Sequence, residues 1–232
     1  MDNRSVVSSQ SQVSESSFIS RVYLWMSLGL GVSGLASFWL LAQPQLLKAV
    51  FTNNLLLIGL IVAELGLVVW LSLAVLRMSA AMASTVFLGY SFLNGITLTS
   101  VFLVYTGASV LSTFFITAGT FLFFSVYGAT THKDLTSIGS LAMMGLFGVI
   151  IASLVNIFLK SSTLMWITTF IGIAVFLGLI AYDTQKLKNI HARGFEGVDT
   201  QKKVAILGAL TLYLDFINLF VLLLRLFGRR RD

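Results

Sequence analysis

Three carboxylates stand where the chain is otherwise apolar. Glu64 lies within "LLLIGLIVAELGLVVWLSLAVL", Asp183 closes "GLIAYD", and Asp215 sits inside "ALTLYLDFINLFVLLLRLFG". Placing an Asp at the middle of a membrane helix costs roughly 2.5 to 3.5 kcal/mol on insertion scales. A carboxyl kept at that cost faces the bundle interior and is protonated, paired or hydrated. The chemistry open to it is proton exchange and weak cation coordination. Thr211 (i−4) and Asn218 (i+3) share the helical face of Asp215, with Gly208 a further turn back. Such a polar stripe marks a span facing other helices or a wet cavity. It also fits an interhelical hydrogen-bond cluster that only holds the bundle together. Bonds of that kind average under ~1 kcal/mol, so they suffice to explain Asn218 and Thr211 but return less than Asp215 costs. Asp183 has Lys186 one turn on and reads equally as a solvated interfacial carboxylate. Glu64 has no partner on its own helix, and is either a functional group or a protonated, hydrogen-bonded structural one.

The elements that carry these groups follow from composition. The chain is 57% hydrophobic and only 10% charged, with a mean hydropathy of +0.93. Soluble domains are about half apolar and about a quarter charged. Seven continuous apolar runs, 22–43, 55–76, 80–105, 111–127, 138–159, 164–183 and 204–227, each come near the ~20 residues needed to cross ~30 Å of hydrocarbon. Outer-membrane strands would be about ten residues each and alternating. Every backbone N–H and C=O in lipid must be satisfied within its own segment, so the runs are helices. The expected fold is all-α: a polytopic membrane domain over 22–228, preceded by a disordered Ser- and Gln-rich tail, 1–21, and followed by a basic tail, 229–232. The tail lacks the layout of a secretory signal. Pro44 falls after the first run, where it breaks no helix.

Several functions are excluded. There is no cysteine, and His132 and His191 lie between the runs, so neither thiolate nor His-cluster metal sites are available in a span and no cofactor is implied. The net charge of +6 belongs to membrane loops rather than to nucleic-acid binding, since no soluble domain and no aromatic interleaving accompany it. An intramembrane aspartyl protease would carry a GxGD-type element. Here Ala-Tyr precedes Asp183 and Tyr-Leu precedes Asp215, so an enzyme is not expected.

Basic residues set the orientation. The tail and the loops on its side hold Arg4, Arg21, Arg77, Lys133, Lys186, Lys188, Arg193, Lys202 and Lys203, against Lys48 and Lys160 opposite. This places the N-terminus in the cytoplasm. The C-terminal "GRRRD" then lies outside if all seven runs cross, or else the last run is re-entrant. Gly29, Gly31 and Gly34 on the first span, Gly145 and Gly148 on the fifth, and Gly172 and Gly178 on the sixth are expected at close helix contacts.

"GLIAYDTQKLK" (178–188) followed by "LTLYLDFINLFVLLLRLFG" (210–228) resembles the C-terminal signature of the Bax inhibitor-1 (TMBIM) family. The block 87–135 and "IIASLVNIFLKSS" (150–162) resemble its bacterial branch, and the likeness runs over about residues 20–228. The resemblance implies seven transmembrane helices with the last one central, residence in the bacterial inner membrane, and a pH-sensitive calcium leak. It implies that Asp183 and Asp215 form a hydrogen-bonded, pH-sensing carboxylate pair; Glu64, singled out by its place in its own apolar run, is a further acidic candidate for the ion path. Calcium ions, protons and the bilayer are then the partners. Some bacterial members are associated with regulating a membrane protease, which offers an alternative role as an interaction protein. Relatives carry a second-span arginine that latches the acidic pair. Positions 73–76 here read "LAVL", and Arg77 is the basic residue nearest that role.

Two neighbouring carboxylates in low dielectric cannot both ionise cheaply, and their protons leave in two steps that belong to the pair. Loss of the shared proton would turn a compact pair into a repelled one with oxygens free for a cation. Calcium takes six to eight oxygen ligands, so two carboxylates make a weak site, as conduction requires. For Asp183 and Asp215 to meet, either the sixth helix lies deeper than its apolar run, with Lys186 and Lys188 snorkelling, or "DTQKKVAIL" begins the seventh helix below the membrane surface.

Overall fold

The computed structural model describes residues 3–231, with side chains from Ser17 onward. Eight α-helices follow in order: α1 Asn3–Leu41, α2 Pro44–Thr52, α3 Asn54–Ala74, α4 Ala80–Val104, α5 Gly107–Thr130, α6 Thr136–Leu159, α7 Ser162–Ala192 and α8 Val198–Phe227. A short 3₁₀ turn, Val75–Arg77, ends α3. Seven helices are long and apolar enough to cross a membrane, and they coincide with the seven runs. Among the described residues there is no strand, only an isolated backbone bridge between Tyr105 and Arg230. The chain is an all-α polytopic membrane protein.

Three boundaries differ from the sequence reading. α1 is helical from Asn3, upstream of its span, where an unstructured tail was expected. Extending an existing helix adds one hydrogen bond per residue fixed and avoids a second nucleation, so a polar sequence can follow an apolar one into helix. The segment after Pro44 forms a helix, with proline at its start, where its missing N–H would have no intrahelical partner anyway. Its Val50 joins Ala36, Leu40 and Ile96 in a buried apolar cluster. Third, α7 continues nine residues beyond Asp183, and α8 begins six residues before Val204. The turn between them uses Gly194 and Gly197 at φ +82° and +100°, conformations in which a side chain would be strained.

The helices divide into two compact units. In the first, formed by α1–α4 and α8 up to Tyr213, α1 and α4 touch backbone to backbone. The hydroxyls of Ser33 and Ser37 donate to the carbonyls of Ser91 and Gly95 at 2.7 and 2.6 Å. A Cβ on Gly95 would run into Ser33 and Ala36. Phe18, fully buried, stacks on His191 with ring centroids 5.0 Å apart.

The second unit comprises α5, α6, α7 up to Asn189 and α8 from Leu214. Here Gly128 of α5 lies against the Ala181 backbone of α7, and Gly139 of α6 lies under the Tyr182 ring. Gly145 and Gly172 take up Val175 and Leu222. Asp134, in the α5–α6 loop, accepts the hydroxyl and the N–H of Thr136, and these bonds hold its carboxyl below the usual carboxylate range. Gly31, Gly34 and Gly148 meet open space, so the close-contact expectation fails for them. The helices differ sharply in enclosure. Within its most apolar stretch α8 is 72% buried, against 11% for α3 and 6% for α6. α8 is therefore the helix with a reason to carry polar side chains.

Candidate functional site

The "AYDTQKLK" segment of α7 is held by nearly every residue except its aspartate. Ala181 packs on Gly128, and Tyr182 on Gly139. Thr184 Oγ1 lies 3.0 Å from Ser125 Oγ. Gln185 donates to the Lys133 carbonyl at 2.8 Å and accepts the Leu135 N–H at 2.9 Å. Lys188 Nζ donates to the Ala129 carbonyl at 3.0 Å. Packing before Asp183 and hydrogen bonds after it tie α7 to α5, α6 and the loop between them, so its position is fixed by its neighbours. Lys186 folds over the Tyr182 ring, 5.7 Å from its centroid, and its charge is felt at Asp183.

On α8, Phe216 is wedged edge-on against Phe114 and Phe121, with centroids 5.5 and 5.6 Å away, which fixes the rotation of the helix at Asp215. The carboxyls of Asp183 and Asp215, 8% and 5% exposed, lie near enough to act on one another. Oδ2 of Asp215 is buried and has no hydrogen-bond partner. A carboxylate accepts and cannot donate, so a hydrogen bond between two carboxyls needs a proton on one of them. α7 and α8 each extend past their apolar runs, so both aspartates lie inside helix rather than at a helix end.

The other expected residues lie elsewhere. Asn218 Nδ2 and Thr211 Oγ1 donate to the Leu214 and Leu207 carbonyls of their own helix, at 2.8 and 3.1 Å. Their polar groups are spent on the backbone and give the pair no support. Arg77 is exposed on the 3₁₀ turn and makes no ion pair or hydrogen bond among the described residues. Among those residues no group of three or more His, Cys, Asp or Glu could hold a metal.

Glu64 belongs to the first unit, where it accepts from Thr97 Oγ1 at 3.0 Å and Asn94 Nδ2 at 3.3 Å. From Asn94 a chain of contacts continues. The Tyr213 hydroxyl donates to Asn94 Oδ1 at 2.8 Å and lies 2.6 Å from Ser33 Oγ. Sequence reasoning missed this network, although Asn94 is an amide inside an apolar run and Tyr213 stands two residues before Asp215. Tyr213→Phe leaves the Asn94 amide oxygen without its donor and takes a neighbour from Ser33, and should cost about 1–3 kcal/mol. Thermal unfolding in detergent checks it against Tyr90→Phe, whose hydroxyl makes no hydrogen bond among the described residues. Equal melting temperatures for the two variants would refute the role given to Tyr213.

Comparison with known proteins adds a lineage. The family model described as "Inhibitor of apoptosis-promoting Bax1" matches residues 15–232. The chain is 49% identical over 219 residues to the inner membrane protein YbhL of Escherichia coli (strain K12), covering 92% of each. It is 43% identical over 216 residues to a protein of Borreliella burgdorferi, covering 93% of each. A membrane protein of Streptococcus pyogenes serotype M1 is 33% identical over 229 residues, covering 98% of this chain and 99% of that one.

Proposed function

Because the chain belongs to the Bax inhibitor-1 family, we propose that it is a pH-sensitive calcium leak of the bacterial inner membrane, gated by Asp183 and Asp215. One observation carries this reading: two carboxyls on different helices, buried within membrane-spanning segments, lie near enough to act on one another and to share a proton. The proton they share is the gate. While it is present, the pair is compact and closes the path between α7 and α8. When it leaves, like charges in low dielectric repel, the helices part at this level, and the freed oxygens meet a hydrated cation. Two carboxylates bind calcium loosely, which suits transit and not storage. Glu64, with Asn94 and Thr97, is a further acidic station for the cation. The N-terminus is cytoplasmic, on the strength of the basic residues that flank it.

Liposomes loaded with a calcium dye and carrying the purified protein test the reading. Calcium entry that varies with pH and exceeds that of empty liposomes is expected. No entry at any pH would sink the channel and leave a role as an interaction partner, for instance of a membrane protease.

A further inference from the structure

Arg225 presents a charge that no carboxylate among the described residues neutralises. It lies in the last turn of α8, two residues before the helix ends at Phe227. One guanidinium N–H reaches Thr169 Oγ1 at 3.3 Å, and Arg225 makes no ion pair among the described residues. A guanidinium has five N–H donors in a planar fork, so most of this one is uncommitted. It faces a cavity of ≈ 580 Å³ between α6, α7 and α8. Near Arg225 the lining is polar, with Asn156 and Thr168. Farther along it is apolar, with Ile150, Val221 and Leu222, and Asn218 stands a further turn in. Asn156 uses its side-chain oxygen to accept the Ser161 N–H at 2.9 Å, which leaves its amide protons for another acceptor. Among the described residues no carboxylate lines the cavity.

The cavity is thus basic at the level of a helix end and apolar for about 10 Å beneath, by the seven residues from Arg225 to Asn218 at helical rise. Its α6 wall belongs to a helix that is 6% buried in its apolar stretch and so faces lipid. We propose that this cavity holds one anionic phospholipid, its phosphate on Arg225 and Asn156 and an acyl chain lying between α6 and α8. Arginine is suited to phosphate because its fork donates two parallel hydrogen bonds. A zwitterionic lipid fits less well, because its ammonium would find no carboxylate here. At the same end of this unit, Arg229, Arg230 and Arg231 border a second cavity of ≈ 900 Å³, together with Ser109 and Ser112. Basic clusters at a membrane surface enrich anionic lipid in their neighbourhood.

Native mass spectrometry of the detergent-solubilised full chain tests the proposal, titrating phosphatidylglycerol, phosphatidylcholine and glycerol phosphate in separate arms. Phosphatidylglycerol should remain bound, while phosphatidylcholine binds more weakly and glycerol phosphate does not stay on or compete. Losing the charged donor in Arg225→Gln should weaken phosphatidylglycerol binding about tenfold or more. Val221→Trp fills the cavity and keeps the arginine, and should weaken it comparably, which covers the case of an Arg225 variant that does not fold. Wild-type lipid binding in Val221→Trp or in a folded Arg225→Gln overturns the site. So does equal binding of phosphatidylcholine. Glycerol phosphate competing as well as the lipid would make it a phosphate site instead.

Discussion

Asp215→Asn protein in liposomes loaded with a calcium dye should admit calcium at a rate that no longer follows pH. One titrating proton can change a flux by at most about tenfold per pH unit, and the Asn variant should vary by less than about twofold over the same range. Asparagine keeps the size of the side chain and can donate to Asp183, so the buried contact survives and the protein folds. What it lacks is the proton that comes and goes. Asp183→Asn should behave in the same way. Because the two groups act as one unit, the double variant should flatten the profile no further than either single one. A wild-type pH profile in Asp215→Asn would show that the proton is read elsewhere, with Glu64 the next carboxyl to test.

Gly128→Val should be the most damaging substitution outside the acidic pair. A Cβ at this position lands on the Ala181 backbone, and neither helix can yield. Ser125 and Thr184 hold α5 to α7 one turn to one side, and Lys188 holds the Ala129 carbonyl on the other. Forcing extra atoms into a packed contact, backbone shifts included, costs typically about 1–3 kcal/mol and occasionally more. Gly148→Val adds the same atoms on α6 where nothing lies within 4 Å, and should be silent. Thermal unfolding in detergent separates the two. A Gly128→Val protein that melts with the wild type would mean that α5 and α7 are not locked at this level.

Asp183 and Asp215 could be picked out from sequence because charge inside an apolar run is rare and costly. The same hydropathy logic misplaced the ends of their helices. "TQKLKNIHA" is polar and reads as loop, but its Gln185 and Lys188 spend their polar groups on the neighbouring loop and helix, and the helix runs on beneath them. Glycine spacing was similarly ambiguous. Gly29 meets Phe87 and Ser91, whereas Gly31 and Gly34 on the same helix meet nothing. A stripe of small residues shows that a close approach is available but not which face the neighbour chooses. The Tyr213 hub went unseen for a related reason. A tyrosine amid leucines counts as apolar bulk until its hydroxyl is known to touch Ser33 and Asn94.

Gln185 holds the α5–α6 loop with both ends of its amide, at Lys133 and at Leu135, and it stands two residues from Asp183. α7 therefore cannot swing alone at the acidic pair. Any parting of the two aspartates has to carry the loop and its two flanking helices along as one lever, or first pay to tear out both amide bonds. A spectroscopic reporter placed at His132, in water and far from the acids in sequence, would then register protonation in the membrane interior.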